Sequence, residues 1–276
     1  MNKNPHFVSC QWLLEHLEDP SIVVIDCRFS LTEPDLGKKL YQISHIKGAY
    51  YLDLNKDLSS SIQKHGGRHP LPNITKLADK LAEMGVNYQS TLVVTYDDSR
   101  FAFASRLWWL LRYFGHEKVA VLDGGFGAWE KANYPLTNII PSVKDAQFAP
   151  QIQSNLLVDI EIVKDRKDLP QVTLVDSRDR DRYLGIREPI DRIAGHISGA
   201  VNYPWKEVTN SDGYLNSSPE QQQRWSNLEN SEEIIVYCGS GVTACVNLLS
   251  LELAGIHQGK LYAGSWSDWI SYQVND

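Results

Sequence analysis

The sequence repeats the order of its local patterns, and this repeat limits the fold more than any other feature. The patterns of residues 5–136 recur in residues 156–270. Four pairs of segments carry the repeat: IVVIDCR (22–28) with VTLVDSR (172–178), SHIKGAYYLDL (44–54) with GHISGAVNYPW (195–205), LVVTYDD (92–98) with IIVYCGS (234–240), and GGFGAW (124–129) with GSWSDW (264–269). The chain is therefore interpreted as two copies of one structural unit.

Each half alternates short strand-forming runs with segments of helical period. This alternation is typical of a mainly parallel sheet with helices on both faces. In the two halves, amphipathic helices follow Asp97 and Cys238 and end before Gly115 and Gly255. We predict an α/β fold of two tandem domains.

The domain boundaries follow from the repeat and from a segment that lacks any period. Residues 137–153 contain prolines and no helical or strand pattern, which is typical of a linker. We predict a first domain at 1–140, a linker at 141–154 and a second domain at 155–276. The first half also contains an insertion, KHGGRHPLP, between its second and third matching segments.

Composition excludes several classes of protein. The 276 residues are 42% hydrophobic and 22% charged, and no apolar run approaches the roughly 18 residues of a membrane-spanning helix. The first ten residues, MNKNPHFVSC, lack the pattern of a secretory signal or a transit peptide, so we expect a cytoplasmic protein. A net charge of −7 argues against nucleic acid or an anionic membrane as the main partner.

Four cysteines bear on the chemistry: Cys10, Cys27, Cys238 and Cys245. Their spacing fits no zinc site, and their number is too small for a disulfide scaffold. We therefore expect reduced thiols, no metal and no cofactor, and a single reactive cysteine becomes the feature of interest.

Cys238 stands where a strand passes into a helix, within YCGSGVTACV (237–246). Ligands of open parallel sheets bind beyond the carboxyl ends of the strands. Gly239 and Gly241 allow the backbone to curl, so that N–H groups of the loop and the start of the helix stabilise a thiolate or a persulfide. The alternative is an ordinary buried cysteine beside a turn. The first half has Asp97 at the matching position, with DDSRF in place of CGSGV, which favours the chemical interpretation.

Together these motifs resemble the tandem-domain rhodanese-like sulfurtransferases over nearly the whole chain. The loop CGSGVTA after IIVY, the HIxGA of both halves, LDGGFGAW and GSWSDW carry the resemblance. The loop is similar to that of the 3-mercaptopyruvate sulfurtransferase type, whereas thiosulfate sulfurtransferases of the family carry basic residues where Gly239 and Ser240 stand. The resemblance implies catalytic loop residues at Cys238, Gly239, Ser240, Gly241, Val242 and Thr243.

The reaction that the resemblance implies is a ping-pong transfer. The cysteine takes a sulfane sulfur from a small anionic donor, becomes a persulfide, and passes the sulfur to a thiol or to cyanide. Small-molecule donors and acceptors, and a thioredoxin-like reductant, are the expected partners. Donor choice between 3-mercaptopyruvate and thiosulfate stays open.

The resemblance also implies an anion site. Arg182, in RYLG, matches the arginine that binds the donor anion, although Asp179, Asp181, Glu188 and Asp191 could instead pair with the arginines of this segment in a solvated loop. The mercaptopyruvate enzymes have a second arginine after EP, where this chain has Ile190. Arg187 and Arg192 are the candidates that would compensate.

The insertion resembles the family stretch whose histidine reaches the cysteine. His69 is the matching residue, and the neighbouring Arg68 would add positive charge. An exposed loop histidine is the alternative. Asn55 stands where the family has an acid, which weakens a relay from that acid through histidine to Ser240.

Residues that occur in both halves favour structural roles. His45 and His196, like Asp26 and Asp176, are predicted to pack or to cap loops. Cys245 lies two helical turns beyond Cys238 and is expected in the core, with a redox pair of the two cysteines as the weaker alternative. Trp266 and Trp269 are also predicted to lie in the core or at its edge.

Two other functions were weighed against sulfur transfer. Tyrosine phosphatases also place a cysteine in such a loop, but they need an arginine six residues later, where this chain has Ala244. A non-turnover sulfur carrier or docking module would keep the fold without catalysis. The sequence favours the enzyme.

Overall fold

The computed structural model describes residues 6–273, and these residues form two compact units. The first unit contains residues 6–60, 72–153 and 211–215. The second contains residues 61–71, 154–210 and 216–273. Each unit thus includes a short segment from the other half of the sequence. The family resemblance indicates this for residues 61–71, whereas no pattern in the sequence indicates it for residues 211–215. The predicted boundaries at 140 and 155 stay predictions.

The first unit is a parallel sheet with helices between its strands. Its strands are β1 (Phe7–Val8), β2 (Ile22–Asp26), β3 (His45–Ile46), β4 (Tyr50–Tyr51), β5 (Leu92–Tyr96), β6 (Val119–Leu122) and β7 (Leu136–Thr137). Its helices are α1 (Cys10–Glu15), α2 (Leu36–Ile43), α3 (Ile74–Glu83), α4 (Ala104–Tyr113) and α5 (Gly125–Lys131).

The second unit follows the same plan. Its strands are β8 (Leu157–Val158), β9 (Val172–Asp176), β10 (Val201–Asn202), β11 (Glu233–Tyr237) and β12 (Gly259–Tyr262). Its helices are α6 (Ile160–Arg166), α7 (Arg180–Tyr183), α8 (Ser218–Trp225), α9 (Ala244–Leu253) and α10 (Ser265–Trp269), with short 3₁₀ turns at Ser154–Leu156, Trp205–Val208, Ser226–Leu228 and Ile270–Tyr272.

The two sheets have the same strand order. The first runs β1-β6-β5-β2-β4 and the second β8-β12-β11-β9-β10, with every pair parallel. The register also repeats, because Asp26 pairs with Tyr96 as Asp176 pairs with Tyr237. The predicted tandem α/β fold is confirmed. A small antiparallel pair, β3 with β7, is additional in the first unit.

A buried ion pair closes the carboxyl end of the second strand in both units. Arg28 Nε and Nη2 donate to the carboxylate of Asp26, which also accepts from Tyr96 OH at 2.7 Å. Arg178 donates to Asp176 in the same way, with Nη2 at 2.6 Å. Because both arginines also donate to a backbone carbonyl, each pair fixes the loop that follows its strand. These aspartates have the structural role that their repetition indicates.

The repeated histidines also make matching contacts. His45 stacks on Tyr41 with ring centroids 4.0 Å apart, and its Nδ1 lies 2.6 Å from the carbonyl oxygen of Tyr41. His196 stacks on Tyr183 at 3.9 Å, with Nδ1 2.8 Å from the carbonyl of Tyr183. Stacking and backbone bonding assign both rings to packing.

The helices α4 and α9, which follow β5 and β11, are not amphipathic, contrary to the prediction from the sequence. Residues 104–111 of α4 and 244–251 of α9 are buried on every side. The helix α9 contacts α8 and the Trp205–Val208 turn as well as β12, so no face is left to solvent. Its polar Asn247 is satisfied inside the core by donating to Ser177 Oγ at 2.8 Å and to Tyr203 O at 2.7 Å. Hydrophobic periodicity alone does not reveal this second layer of packing.

The predicted linker lies along the first unit. Lys144 N donates to Glu83 O, Gln151 N to Phe114 O at 2.8 Å, and Tyr50 OH to the carbonyl of Ser142 at 2.8 Å. The segment is extended yet anchored by backbone hydrogen bonds. In the part of the chain that the structure describes, every helix falls short of the length and apolar character needed to cross a bilayer.

Candidate active site

Cys238 lies immediately after the central strand β11 and is 2% exposed. Its backbone N–H donates to Ser265 Oγ at 3.1 Å, and its carbonyl accepts from Trp266 N at 3.0 Å. Both partners belong to α10. The start of α10 therefore fixes the backbone on which the thiol is carried.

The turn after Cys238 needs glycine at one position for a steric reason. Gly241 has a φ of 76°, and a Cβ built there would overlap the carbonyl oxygen of Ala263. The loop thus bends tightly against the end of β12, and α9 begins at Ala244. The positive end of this ten-residue helix follows the loop directly.

The segment 61–71 is docked on α10 by two hydrogen bonds, each from a backbone N–H of the segment to a side chain of the helix. Gly66 N donates to Asp268 Oδ1 at 2.6 Å, and Arg68 N donates to Ser267 Oγ at 3.1 Å. Asp268 is held in turn by Tyr262 OH, 2.7 Å from its Oδ2. The inserted KHGGRHPLP is thereby brought into the second unit, where Cys238 lies.

His69 is buried and contacts the cysteine loop. Its Nδ1 lies 2.7 Å from Ser240 Oγ, and both residues are 7% exposed. The alternative of an exposed loop histidine is therefore wrong. Ser240 is two residues beyond Cys238, so this hydrogen bond couples a titratable ring to the loop that carries the thiol.

Arginines and acids of the second unit form a compact cluster, which we call the arginine–acid cluster: Arg68, Arg182, Glu188 and Asp191. Arg182 donates to Glu188 through Nε and Nη2, the latter at 2.8 Å, and to Asp191 Oδ2 at 2.9 Å. Arg68 Nη1 pairs with Asp191 Oδ1. The alternative in which these acids pair with Arg182 is thus confirmed as to the pairing. It is wrong as to solvation, because the side chains of Glu188 and Asp191 are only 4% and 2% exposed.

Both guanidinium groups lie against the cysteine loop. A Cβ built on Gly239 would lie 2.9 Å from Nη2 of Arg68 and 3.5 Å from Nη1 and Nη2 of Arg182. A side chain at this position would displace one of them. Within residues 6–273, the hydrogen bonds of Arg182 use Nε and Nη2, which leaves Nη1 without a carboxylate partner. Two cations next to a buried thiol are suited to hold a small anion there.

The pKa values of the two acids move in opposite directions. For Glu188, burial opposes ionisation, but hydrogen bonds from Arg182 and from the backbone N–H of Asp191 and Ile190 outweigh burial and lower the pKa. For Asp191, burial raises the pKa, Arg68 opposes the rise, and the charge of Glu188 adds to it. Glu188 is therefore the firmly ionised member.

The remaining arginine candidates are placed differently. Arg187 and Arg192 are exposed, and among the described residues neither side chain forms a hydrogen bond or ion pair with the cysteine loop. Ile190 is 50% exposed. The structure thus brings Arg68 to the loop, rather than Arg187 or Arg192.

The first unit shows what the equivalent loop does with an anion. Asp97, at the position of Cys238, accepts from the backbone N–H of Ser99 at 2.7 Å, Phe101 at 3.1 Å, Phe103 at 2.8 Å and Ala104 at 2.8 Å. Burial raises the pKa of Asp97 to about 6 against these bonds, so the group is an anion at neutral pH. The fold therefore holds a negative charge with backbone N–H groups at this place.

The other three cysteines are unlike Cys238 in their surroundings. Burial raises the pKa of Cys27 well above its usual value and that of Cys10 to about 11. Cys245 is buried in α9, and its Sγ lies 3.4 Å from the carbonyl oxygen of Gly241. Cys245 has the core position expected from its spacing.

The described part of the chain contains no set of side chains arranged to bind a metal ion. No group of three or more histidine, cysteine or carboxylate side chains there is placed to hold an ion.

Trp266 is 3% exposed, donates Nε1 to Ile193 O at 2.9 Å, and lies under the guanidinium of Arg178 at 4.9 Å. It belongs to the core, as predicted, and Trp269 packs against that core.

Sequence reasoning missed three contributors to the site: Ser265, Asp268 and the bridging position of Asp191. Ser265 and Asp268 lie in GSWSDW, which was interpreted as a marker of the repeat and of the family resemblance, with core positions for its tryptophans. Asp191 was considered only as a surface partner. The clustering of acids with arginines before His196 was the available signal, but a pattern of charges does not show which carboxylate bridges two cations.

Comparison with known proteins agrees with this architecture. A family model for the rhodanese-like domain matches residues 9–132 and 159–272. A probable 3-mercaptopyruvate sulfurtransferase of Pseudomonas aeruginosa is 43% identical over 269 residues, covering 96% of this chain and 94% of that protein. A thiosulfate sulfurtransferase of Rattus norvegicus is 33% identical over 276 residues, covering 95% and 91%.

A solved structure is similar over the same extent. The 3-mercaptopyruvate sulfotransferase of Escherichia coli superposes with a TM-score of 0.83 at 33% identity, covering 96% of this chain and 100% of that one. Two family matches, one on each unit, together with relatives that align end to end, decide the relationship. The chain belongs to the rhodanese family, with two rhodanese-like domains in tandem.

Proposed function

We propose that this enzyme is a sulfurtransferase that moves a sulfane sulfur from 3-mercaptopyruvate, through a persulfide on Cys238, to a thiol or cyanide acceptor. The observation that carries the proposal is the pair of guanidinium groups, of Arg68 and Arg182, beside Gly239, the residue that follows the buried Cys238. Relatives named as 3-mercaptopyruvate and thiosulfate sulfurtransferases support the reaction class.

In the first half-reaction the Cys238 thiolate attacks the sulfur of the donor. A sulfur–sulfur bond forms, the carbon–sulfur bond of 3-mercaptopyruvate breaks, and its electron pair stays on carbon as the enolate of pyruvate. The enolate takes a proton and leaves as pyruvate. The backbone N–H groups of the loop would hold the persulfide, as those of the first unit hold Asp97.

In the second half-reaction the acceptor attacks the outer sulfur. The bond between the two sulfurs breaks, and the Cys238 thiolate is the leaving group. A monothiol acceptor becomes a persulfide, and cyanide becomes thiocyanate. A dithiol, such as that of a thioredoxin-like reductant, would release the sulfur as sulfide while forming its own disulfide, which makes such a protein a fitting partner.

His69 and Ser240 are the groups suited to move the proton. The 2.7 Å hydrogen bond places the imidazole within reach of the loop, and the ring exchanges a proton at neutral pH more readily than other side chains. We propose that this pair protonates the leaving enolate. Arg182 and Arg68 would hold the donor carboxylate, with Arg182 using its unpaired Nη1.

Donor preference follows from the space around Gly239. The thiosulfate sulfurtransferases that the sequence resembles have basic side chains at the positions of Gly239 and Ser240. Here Arg68 and Arg182 already fill the space over Gly239, and Ser240 is bonded to His69. The cations at this site therefore come from outside the loop, from Arg68 and Arg182, rather than from basic side chains of the loop itself. Thiosulfate:cyanide transfer and a non-turnover sulfur carrier are the competing functions.

The experiment that tests the proposal compares donors and one arginine. Wild type should release pyruvate from 3-mercaptopyruvate and turn over with a dithiol, and thiosulfate should be the poorer donor. Arg182→Ala should raise the donor KM by an amount equivalent to about 1.5–3 kcal/mol, the value of a hydrogen bond to a charged group. Arg180→Ala, on the same helix but exposed, is the matched control and should leave KM unchanged.

Three results would count against the proposal. An unchanged KM in Arg182→Ala would mean that Arg182 does not bind the donor anion. Faster turnover with thiosulfate than with 3-mercaptopyruvate would favour thiosulfate as the donor. Uptake of one sulfur without turnover by any acceptor would favour the carrier. We also propose a cytoplasmic location, which the four free cysteines support.

A further inference from the structure

Asp191 occupies a position between the two cations that the donor needs. Its Oδ2 accepts from Arg182 Nη2 at 2.9 Å, and its Oδ1 pairs with Arg68 Nη1. The side chain is 2% exposed, so water screens these contacts little. One carboxylate thus bridges the two guanidinium groups that lie against Gly239.

The formal charge of the arginine–acid cluster is consequently zero. Arg68 and Arg182 contribute two positive charges, and Glu188 and Asp191 contribute two negative charges. Arg178 adds no free charge, because its guanidinium pairs with Asp176 at 2.6 Å and contacts Glu188 at 3.4 Å. The donor site therefore offers directed N–H groups without a large net positive field.

Such a site discriminates by the charge of its ligand. A carboxylate with a single charge can use the free donors of the guanidinium groups. A compact dianion brings a second charge that the neutral cluster leaves uncompensated, and at these distances Asp191 repels it. Inside a protein this repulsion is stronger than in water, because the effective dielectric constant is lower.

We propose that Asp191 determines the charge selectivity of the donor site, so that monoanionic carbon-based donors are accepted and compact dianions such as thiosulfate are rejected. This inference rests on the proposed sulfur transfer. Asp191 acts through Arg68 and Arg182, so it is a positioning and selectivity residue.

The test is the donor preference of Asp191→Asn. This variant keeps the size and one of the two accepting oxygens, replaces the other oxygen by an amide nitrogen, and removes the charge. We expect kcat/KM for thiosulfate relative to that for 3-mercaptopyruvate to rise about tenfold, the effect of one charge a few ångströms away at intermediate dielectric. Asp191→Glu should keep the wild-type preference. Asp181→Asn, with the same change of charge on an exposed side chain, should also leave the ratio unchanged.

Two outcomes would overturn the inference. If Asp191→Asn loses activity equally with both donors, Asp191 only holds the arginines in place. If the ratio rises as much in Asp181→Asn, the effect is one of general charge. Neither outcome touches the proposed function, which would fail differently, through wild type that takes no sulfur from either donor.

A measurement on wild type covers the case in which Asp191→Asn does not fold. Pyruvate and malonate both carry a carboxylate, but malonate is a dianion when fully ionised. As competitive inhibitors against 3-mercaptopyruvate, pyruvate should bind more tightly than malonate. Tighter inhibition by malonate would contradict a site that rejects dianions.

Discussion

At the residue scale, the contact between His69 and Ser240 is the one most closely tied to proton transfer. The ring and the hydroxyl are both buried, and 2.7 Å separates Nδ1 from Oγ. Removing the hydroxyl removes this hydrogen bond, which helps to orient the ring. A misplaced acid or base loses its catalytic contribution without changing how the donor anion is held.

Ser240→Ala should therefore lower kcat with 3-mercaptopyruvate by roughly 100-fold, the lower end of the range for general acid–base catalysis, and leave KM nearly unchanged. Steady-state kinetics of pyruvate release measures both quantities. Ser198→Ala, at an exposed serine of the same unit, is the control. A rise in KM with an unchanged kcat would assign Ser240 to donor binding instead.

His116 shows how a residue far from the site makes stability depend on pH. Its Nδ1 accepts from Gln89 N at 3.1 Å, and its Nε2 donates to Lys118 O at 3.1 Å, which requires the neutral ring. Burial lowers the pKa of His116 from 6.5 to about 4. Between these values the unfolded chain binds a proton that the folded chain does not, so stability falls as pH falls through this window.

We expect the free energy of unfolding to drop by about 3 kcal/mol on account of His116 as pH falls from 6.5 to 4, at 1.36 kcal/mol for each pKa unit. Urea unfolding at several pH values measures this. His116→Asn should have a smaller dependence, and His257→Asn, at an exposed histidine, should keep that of wild type. Equal slopes in wild type and His116→Asn would refute the assignment.

At the scale of elements, the segment 61–71 decides whether Arg68 and His69 reach the cysteine loop. Gly66 and Gly67 both have positive φ, at 96° and 80°. They differ in the space around them, since a Cβ on Gly66 would meet nothing within 4 Å, whereas one on Gly67 would overlap the carbonyl oxygen of Gly264. Alanine substitutions at the two positions therefore distinguish the effect of backbone strain, present at both, from the effect of close packing, present only at Gly67.

Gly67→Ala should detach the segment from α10, raise the donor KM and lower kcat together. Gly66→Ala should suffer only the strain of a left-handed alanine, roughly 1–2 kcal/mol, and keep more activity. Trypsin cleavage after Lys64 or Arg68, followed by mass spectrometry, reports the release of the segment. Equal cleavage rates and equal kinetics in the two variants would mean that the contact with Gly264 does not hold the segment.

The elements that the sequence predicts well are those that the repeat marks twice. Strands ending at Asp26 and Asp176, and helices ending before Gly115 and Gly255, follow from local pattern and appear in both halves. Cys238, Arg182 and His69 were predicted as site residues from the residues and from the family resemblance, and their roles stay predictions. In these cases the position of a residue in the sequence was enough to make the prediction.

Other features depend on contacts between distant parts of the chain, which no local pattern encodes. The role of Arg68 as the second cation at the loop, in place of Arg187, depends on how residues 61–71 dock on Ser267 and Asp268. The burial of α4 and α9 on all sides likewise depends on a layer of packing beyond the sheet. Such features follow from tertiary packing. The family resemblance predicted Arg68 near the cysteine, but its docking contacts and the burial of the two helices on all sides were not predicted.

At the scale of the whole molecule, two units share one strand order, and only one carries a thiol after its central strand. In the first unit the matching loop already holds a negative charge of the protein itself, on Asp97. In the second, the loop is followed by a helix start and flanked by cations, and it carries a thiol. We therefore propose one site of sulfur transfer per chain.

The measurement that tests this claim most directly is the intact mass of the protein after incubation with 3-mercaptopyruvate in the absence of an acceptor. Wild type should gain the mass of one sulfur atom and lose it when a dithiol is added. Cys238→Ser should gain none, because Cys10 and Cys27 are held as thiols and Cys245 is buried in the core. A sulfur atom gained by Cys238→Ser, or none gained by wild type, would contradict the account.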